Sequence, residues 1–272
     1  MNKLESMVPQ LRDLFPALSR RMPSGAPIAF LDGPAGTQVP SSVIEAIRDY
    51  LVRCNANRHG CFLTADETEE CFAKAHRLYA DFMGVDDPEE IVFGPNMTSL
   101  TFQISRALSQ TWQAGDEIIL TRLDHDANVS PWVLAARDRG VEVRWVPFRA
   151  DDLQLDLQVL QSHLNGKTRL VACGAASNAT GGINPVAEIV RMAHSVNALA
   201  YIDAVHWGPH RQIQANAWNA DFVVCSAYKF FGPHVGILWG RRPLLERVDA
   251  YKVRPASNAI PDKWMQGTVS HD

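Results

Sequence analysis

The sequence predicts an α/β protein: one mostly parallel seven-stranded sheet sandwiched by helices. Three observations predict it. Short apolar runs alternate with longer amphipathic segments along most of the chain, the order that a parallel sheet with crossover helices requires. No internal repeat or low-complexity linker interrupts that alternation, and 272 residues suit one large or two modest domains. Polar side chains gather just beyond the apolar runs, where open parallel sheets collect their ligands.

Residues 1–30 form an N-terminal arm, read as helical. Its stretch "MNKLESMVPQLRDLFPALSR" has scattered charges and no continuous apolar core, so it is not signal-like. The body spans 31–245. It opens with a helix from Pro40, "PSSVIEAIRDYLV", and a stronger one, "TADETEECFAKAHRLYADFMG". Thr64 and Glu67 are placed to form a capping box at its start, and Gly84 to end it. Seven strands follow, at "EEIVFG", "DEIILTR", "VEVRWVPF", "TRLVACGAAS", "ALAYIDAV", "DFVVCSAY" and "VGILWG". Helices read between them include "PNMTSLTFQISRALSQTW", "VSPWVLAARDRG", "LDLQVLQSHLN" and "NPVAEIVRMAHSV", with Pro185 where helix starts favour proline. Residues 246–272 read as the start of an interdomain or dimer-contact segment. Most tryptophans are taken as core or interface.

Composition narrows the function. With 26 basic and 30 acidic residues the formal charge is -4, which gives no positive face for nucleic acid. Five cysteines, an odd number without C-x-x-C spacing, argue against a disulfide scaffold or a structural zinc site. Cys173 and Cys225 fall inside strand patterns and read as inert buried thiols. No apolar run is long enough to cross a bilayer. A cytoplasmic setting without membrane or nucleic-acid partners is the expectation.

The strand ends carry more polar groups than turns need. Asn96 follows the first strand and suits a helix N-cap, whose free N–H groups favour an anion. His125 follows the second strand, Asn178 the fourth, Asp203 and His206 the fifth, Ser226 and Lys229 the sixth. The glycine signatures of a Rossmann dinucleotide site and of a P-loop are both absent. Pyridoxal 5'-phosphate fits the set. Its aldehyde needs an amine, its ring nitrogen a carboxylate and its phosphate N–H donors. Lys229, Asp203 and the Asn96 helix start supply these. Read alone, Lys229 is as well a surface lysine, Asp203 a turn aspartate, and His125 a loop residue or part of a metal cluster with Asp124 and Asp126. The combination favours the cofactor, with no metal.

With those residues assembled, the chain resembles the class V aminotransferase family, in its cysteine desulfurase-like branch. The resemblance rests on "LDGPAGTQVP", "VFGPNMTSL", "DHDANVSPW", "SNATGGINP", "YIDAVHWGPH", "SAYKFFGPHVGILWG" and "GTVSHD", in the family's order over roughly residues 30–272. It implies the large cofactor domain of a fold-type I pyridoxal-phosphate enzyme. Lys229 would hold the cofactor as an aldimine and act as base, and Asp203 would salt-bridge the ring nitrogen. His125 would stack on the ring and assist proton transfer. Asn178 and His206 would lie at the ring hydroxyl. Ser226, Asn96, Met97 and Thr98 would grip the phosphate. Thr268 would reach the neighbouring subunit's phosphate, which implies a homodimer.

The departures point to a divergent branch acting on an amino acid that need not be cysteine. Tyr228 stands where relatives often carry histidine, and "HDAN" replaces a double histidine. Relatives run to roughly four hundred residues by that resemblance, so the chain reads as a cofactor domain whose small C-terminal domain is absent. Arg58 and His59 fall where the family often places substrate-entry residues, and Arg58 and Arg254 are weak substitutes for the missing clamp on the substrate carboxylate. Desulfuration, amine transfer, epimerisation and a non-catalytic cofactor-binding protein or gene fragment all remain open at this point.

Overall fold

The computed structural model describes residues 3–268 and residue 270. Seven strands form one sheet: β1 (Ile91–Gly94), β2 (Glu117–Thr121), β3 (Glu142–Val146), β4 (Thr168–Gly174), β5 (Leu199–Asp203), β6 (Phe222–Ser226) and β7 (Gly236–Gly240). Their spatial order is β1-β7-β6-β5-β4-β2-β3. The β2–β3, β2–β4, β4–β5 and β5–β6 pairs are parallel, whereas β7 is antiparallel to both β1 and β6. Strand β7 can reverse because it follows β6 through a short turn. The parallel neighbours are joined by helical crossovers.

Nine α-helices are present among the described residues. An arm helix α1 (Lys3–Asp13) precedes α2 (Ser41–Arg53) and α3 (Leu63–Met83). Then come α4 (Met97–Leu108), α5 (Ser130–Arg139), α6 (Leu157–His163), α7 (Val186–His194), α8 (Ala215–Trp218) and α9 (Arg242–Arg247). Strands β2, β6 and β7 are buried along their whole length, as a sheet covered on both faces demands. Trp132, Trp239 and Trp264 are fully buried, and each indole N–H is paired: to Asn128 Oδ1 (3.1 Å), Glu90 Oε2 (2.8 Å) and the Leu245 carbonyl (2.9 Å).

The start of α3 differs from the capping box expected at Thr64. Phe62 occupies the N-cap without a side-chain bond, and Thr64 lies inside the first turn. Glu69, not Glu67, takes the reach-back role. Its Oε1 accepts the His59 N–H at 3.0 Å, which pins the entering loop one turn earlier. Gly84 ends the helix in the left-handed region, with φ 68°, as its position predicts. Residues 249–268 are largely irregular but dock on the body, where Gln103 Nε2 donates to the Trp264 carbonyl at 2.6 Å. No helix among the described residues is long and apolar enough to cross a membrane.

Candidate functional site

One cavity of about 510 Å3 opens beyond the carboxyl ends of β5 and β6. Asn96, Met97, Thr98, His125, Asp203, His206, Ser226 and Lys229 all line it. Asn178 and Thr268 do not. Asn178 sits half-buried in the turn after β4, a bend organised by the Ser177 hydroxyl. Thr268 lines two neighbouring cavities, one with Arg58, His59 and Asp262 and the other with Ser99 and His234.

One end of the cavity is built by α4 and β6. Asn96 is extended and its Oδ1 accepts the Ser99 N–H at 2.8 Å, which caps α4. Ser226 Oγ, only 2% exposed, accepts the Met97 N–H at 3.0 Å, and the Asn96 carbonyl accepts the Leu100 N–H. Among the described residues no acceptor lies on the Thr98 N–H, so it is available to an anion together with the Ser226 and Thr98 hydroxyl hydrogens. The helix start is pressed against β7. A Cβ at Gly236 would lie 2.4 Å from the Asn96 carbonyl carbon, so only glycine lets α4 begin here.

Lys229 follows β6 in a 3-10 turn, Ala227–Lys229, and is 9% exposed. Its Nζ donates to the Ala35 carbonyl at 3.0 Å and to the Pro34 carbonyl. Those carbonyls belong to the "DGPAGT" segment, which is itself tied down by Thr37. The Thr37 N–H and Oγ1 both donate to the Tyr228 carbonyl at 3.0 Å. Desolvation lowers the Lys229 pKa, opposed by the negative charges of Asp203 and Asp32. A larger share of the amine is therefore neutral and nucleophilic than for an exposed lysine.

Asp203 ends β5 and is 7% exposed, with Oδ1 accepting the Val205 N–H at 2.8 Å. Burial pushes its pKa up to about 6, against the pull of that hydrogen bond and of His125 and Lys229. His206 is lowered to about 4 by burial and by Lys229, His125 and His210, so at neutral pH it is an uncharged ring. His125 Nδ1 accepts the Ala127 N–H at 3.0 Å, which leaves the proton of the neutral ring on Nε2.

Tyr228 and His234 also line the cavity, their rings stacked at 5.0 Å, and neither was singled out as a ligand from sequence. The signal was present in "SAYKFFGPH", where both flank Lys229. Arg58 is not free to clamp a substrate. Its guanidinium is paired with Glu69 (3.0 Å) and Asp262 (2.8 Å) and lies 4.0 Å over the Phe72 ring. His59 is likewise paired with Glu69 at 3.0 Å. Cys173 and Cys225 are wholly buried, and burial holds both thiols well above their usual range. Among the described residues no three His, Cys, Asp or Glu groups are placed to hold a metal.

A sequence model of the family described as aminotransferase class-V matches residues 29–269. A probable cysteine desulfurase of Streptomyces coelicolor is 35% identical over 246 residues, covering 87% of this chain and 58% of that protein. The aminotransferase-like protein FGM3 of Gibberella zeae is 33% identical, covering 89% and 60%. Among solved structures, the cysteine desulfurase CsdA (S-sulfonic acid) of Escherichia coli superposes with a TM-score of 0.86 at 26% identity, covering 97% of this chain and 68% of that one. The apo cysteine desulfurase of Thermococcus onnurineus NA1 gives a TM-score of 0.89 at 23% identity, a likeness of fold, over 97% and 67%. The chain thus spans about three-fifths of the length of the curated relatives it matches.

Proposed function

The chain belongs to the class V aminotransferase family, and from that premise we propose that it is the cofactor-binding part of a pyridoxal-phosphate enzyme acting on an amino acid. The single observation that carries the reading is one cavity lined by a buried lysine amine, a buried carboxylate, an imidazole and a capped helix start. The residues fit the group. The cavity of about 510 Å3 lies in the range of cofactor sites. Its lining also includes an amine, a carboxylate and the Thr98 N–H with neighbouring hydroxyls, one kind of group for each of the three parts of the molecule. When bound, pyridoxal phosphate supplies an electron sink for negative charge at a substrate's alpha carbon.

The chain's own residues do the rest. Lys229 would hold the cofactor through Nζ, for which the amine would have to leave the Pro34 and Ala35 carbonyls. As a free amine, Lys229 would be the base for a substrate's alpha proton. Asp203, mostly ionised at neutral pH, would accept a hydrogen bond from the ring nitrogen. His125 would lie against the ring, with its Nε2 proton free to be donated. His206, held neutral, would offer a hydrogen-bond partner without a competing charge. Ser226, Thr98 and the Asn96–Met97 helix start would hold the phosphate, and their fixed positions would orient the cofactor.

The relatives that are cysteine desulfurases, or probable ones, favour desulfuration of cysteine. The aminotransferase-like relative keeps amine transfer, and with it epimerisation, as the second reading. Asn178 at the ring hydroxyl is part of the same proposal, as are Thr268 at a partner subunit's phosphate and the homodimer which that contact implies.

The test is the absorption spectrum of the purified 272-residue chain with pyridoxal phosphate, followed by borohydride reduction and peptide mapping. A visible band and an adduct on Lys229 are expected. A folded, dimeric sample with neither would sink the reading. Sulfide release from cysteine, compared with exchange and racemisation of other amino acids, then separates the outcomes.

A further inference from the structure

Behind His125 and Asp203 stands a third side chain. We propose that Asp124 is a positioning residue: it joins the strand ends that carry His125 and Asp203 as a protonated carboxyl, and so leaves the negative charge to Asp203. The inference rests on the reading of Asp203 as the partner of the ring nitrogen.

The geometry is a short bridge across the sheet. Asp124 Oδ1 accepts the Gly174 N–H at 2.5 Å. Gly174 ends β4 and stands in register with Asp203 on β5. The next N–H, that of Ala175, donates to the Asp203 carbonyl at 2.7 Å. A single peptide unit therefore separates the Asp124 carboxyl group from the Asp203 backbone. The approach is so close that a Cβ at position 174 would lie 2.8 Å from Asp124 Oδ1, which is why the strand ends in glycine.

The other carboxyl oxygen faces α5. Asp124 Oδ2 accepts from Asn128 Nδ2 at 3.4 Å, and Asn128 Oδ1 accepts the indole N–H of the fully buried Trp132 at 3.1 Å. The turn that carries His125 is thus pinned at its start to β4 and at its end to the core.

Charge makes the bridge more than a strut. The groups around Asp124 are Thr121, Asn128, the Gly174 N–H, the Cys173 thiol and Asp203. None of them is a cation. Burial, then the charge of Asp203, push Asp124 up to about 8. Asp203 faces His125 and Lys229, both of which favour its ionised form. Asp124 and Asp203 disfavour each other's charge, and Lys229 stands on the Asp203 side. Asp124 keeps the proton and Asp203 takes the charge.

A carboxyl that keeps its proton while Asp203 titrates is replaced by its amide without moving Asp203, whereas a charged one is not. The chain is labelled with carboxyl-13C aspartate and titrated by NMR without cofactor. Two aspartate carboxyls are expected to titrate above the ordinary range in the wild type. In Asp124→Asn the higher one disappears and the Asp203 resonance, assigned by its loss in Asp203→Asn, stays within about half a pH unit of its wild-type midpoint. An Asp203 midpoint that falls by about one pH unit or more, or a wild-type Asp124 that titrates in the ordinary carboxylate range, overturns the proposal. Asp124→Ala also loses the Gly174 bond and is expected to weaken pyridoxal-phosphate binding about tenfold, while Asp124→Asn stays within about threefold. If Asp124→Ala does not fold, the amide variant still decides. If the wild type binds no pyridoxal phosphate, the functional reading fails, while the titration still judges Asp124.

Discussion

Buried carboxylates stand at both ends of this sheet, and the two ends treat them in opposite ways. At the amino ends of the strands Asp116 is paired with Arg169 (2.8 Å), Glu117 with Arg144 (3.0 Å) and Asn165, and Asp221 with His194 (2.8 Å) and the Ala200 N–H. The arginine partners hold Asp116 and Glu117 below the usual carboxylate range. At the carboxyl ends Asp203 and Asp124 are pushed up by burial and have no arginine beside them. One end has its charges compensated within the chain. The other leaves its carboxyls without an arginine partner, and that is where the cavity lies.

The largest expected difference between the ends is covalent. Lys229→Ala removes all borohydride-fixed cofactor, yet shifts the melting temperature by no more than about 3 °C, because the lost amine had only two carbonyls as partners. Peptide mapping and calorimetry read the two effects. Next comes Gly236→Ala, whose Cβ has no room against Asn96 and which destabilises the chain by about 2–3 kcal/mol in urea unfolding. Asp116→Ala at the opposite end costs about 1–3 kcal/mol, since it strips Arg169 and the Gln113 N–H of their acceptor, and leaves pyridoxal-phosphate binding unchanged. A loss of binding there breaks the distinction between the ends.

The pH dependence carries opposite signs at the two ends. Folding raises Asp203 to about 6, whereas the unfolded group titrates near its ordinary value of about 3.9. Between those values the folded chain holds a proton that the unfolded chain has lost. Stability from this group therefore falls as pH rises through that window. Asp116 and Glu117 are depressed, so their contribution is present above the ordinary carboxylate range and is lost as pH falls below it. Urea midpoints of the cofactor-free chain across about pH 3 to 8 are expected to show a shallower first slope in Asp203→Asn, with Asp124 supplying the remainder, and a shallower second slope in Glu117→Gln, with Asp116 supplying the remainder. The smallest effect is that of Ser226→Ala, about 1 kcal/mol from the unpaired Met97 N–H, with cofactor binding weakened about tenfold.

Much of this was legible in the residues alone. The alternation of apolar runs and amphipathic segments determines seven strands, the helices between them and the end at which polar groups collect. Strand period and helix period are local properties that a linear reading captures. The Asn96 cap and the Gly84 stop are equally local. Tertiary structure alone decided the matters that depend on distant partners. The start of α3 moved because Glu69 reaches back to His59, a contact that competes with the local Thr64 signal. Arg58 is engaged because Asp262, far along the chain, folds back onto it. Gly174 and Gly236 are fixed by what approaches them across the sheet, Asp124 and Asn96. The sequence shows that Asp203, Asp116 and Glu117 are acidic. Whether an arginine stands beside each one is settled only when the strands are laid side by side, and that neighbour decides whether a carboxylate stabilises the fold or waits for a ligand.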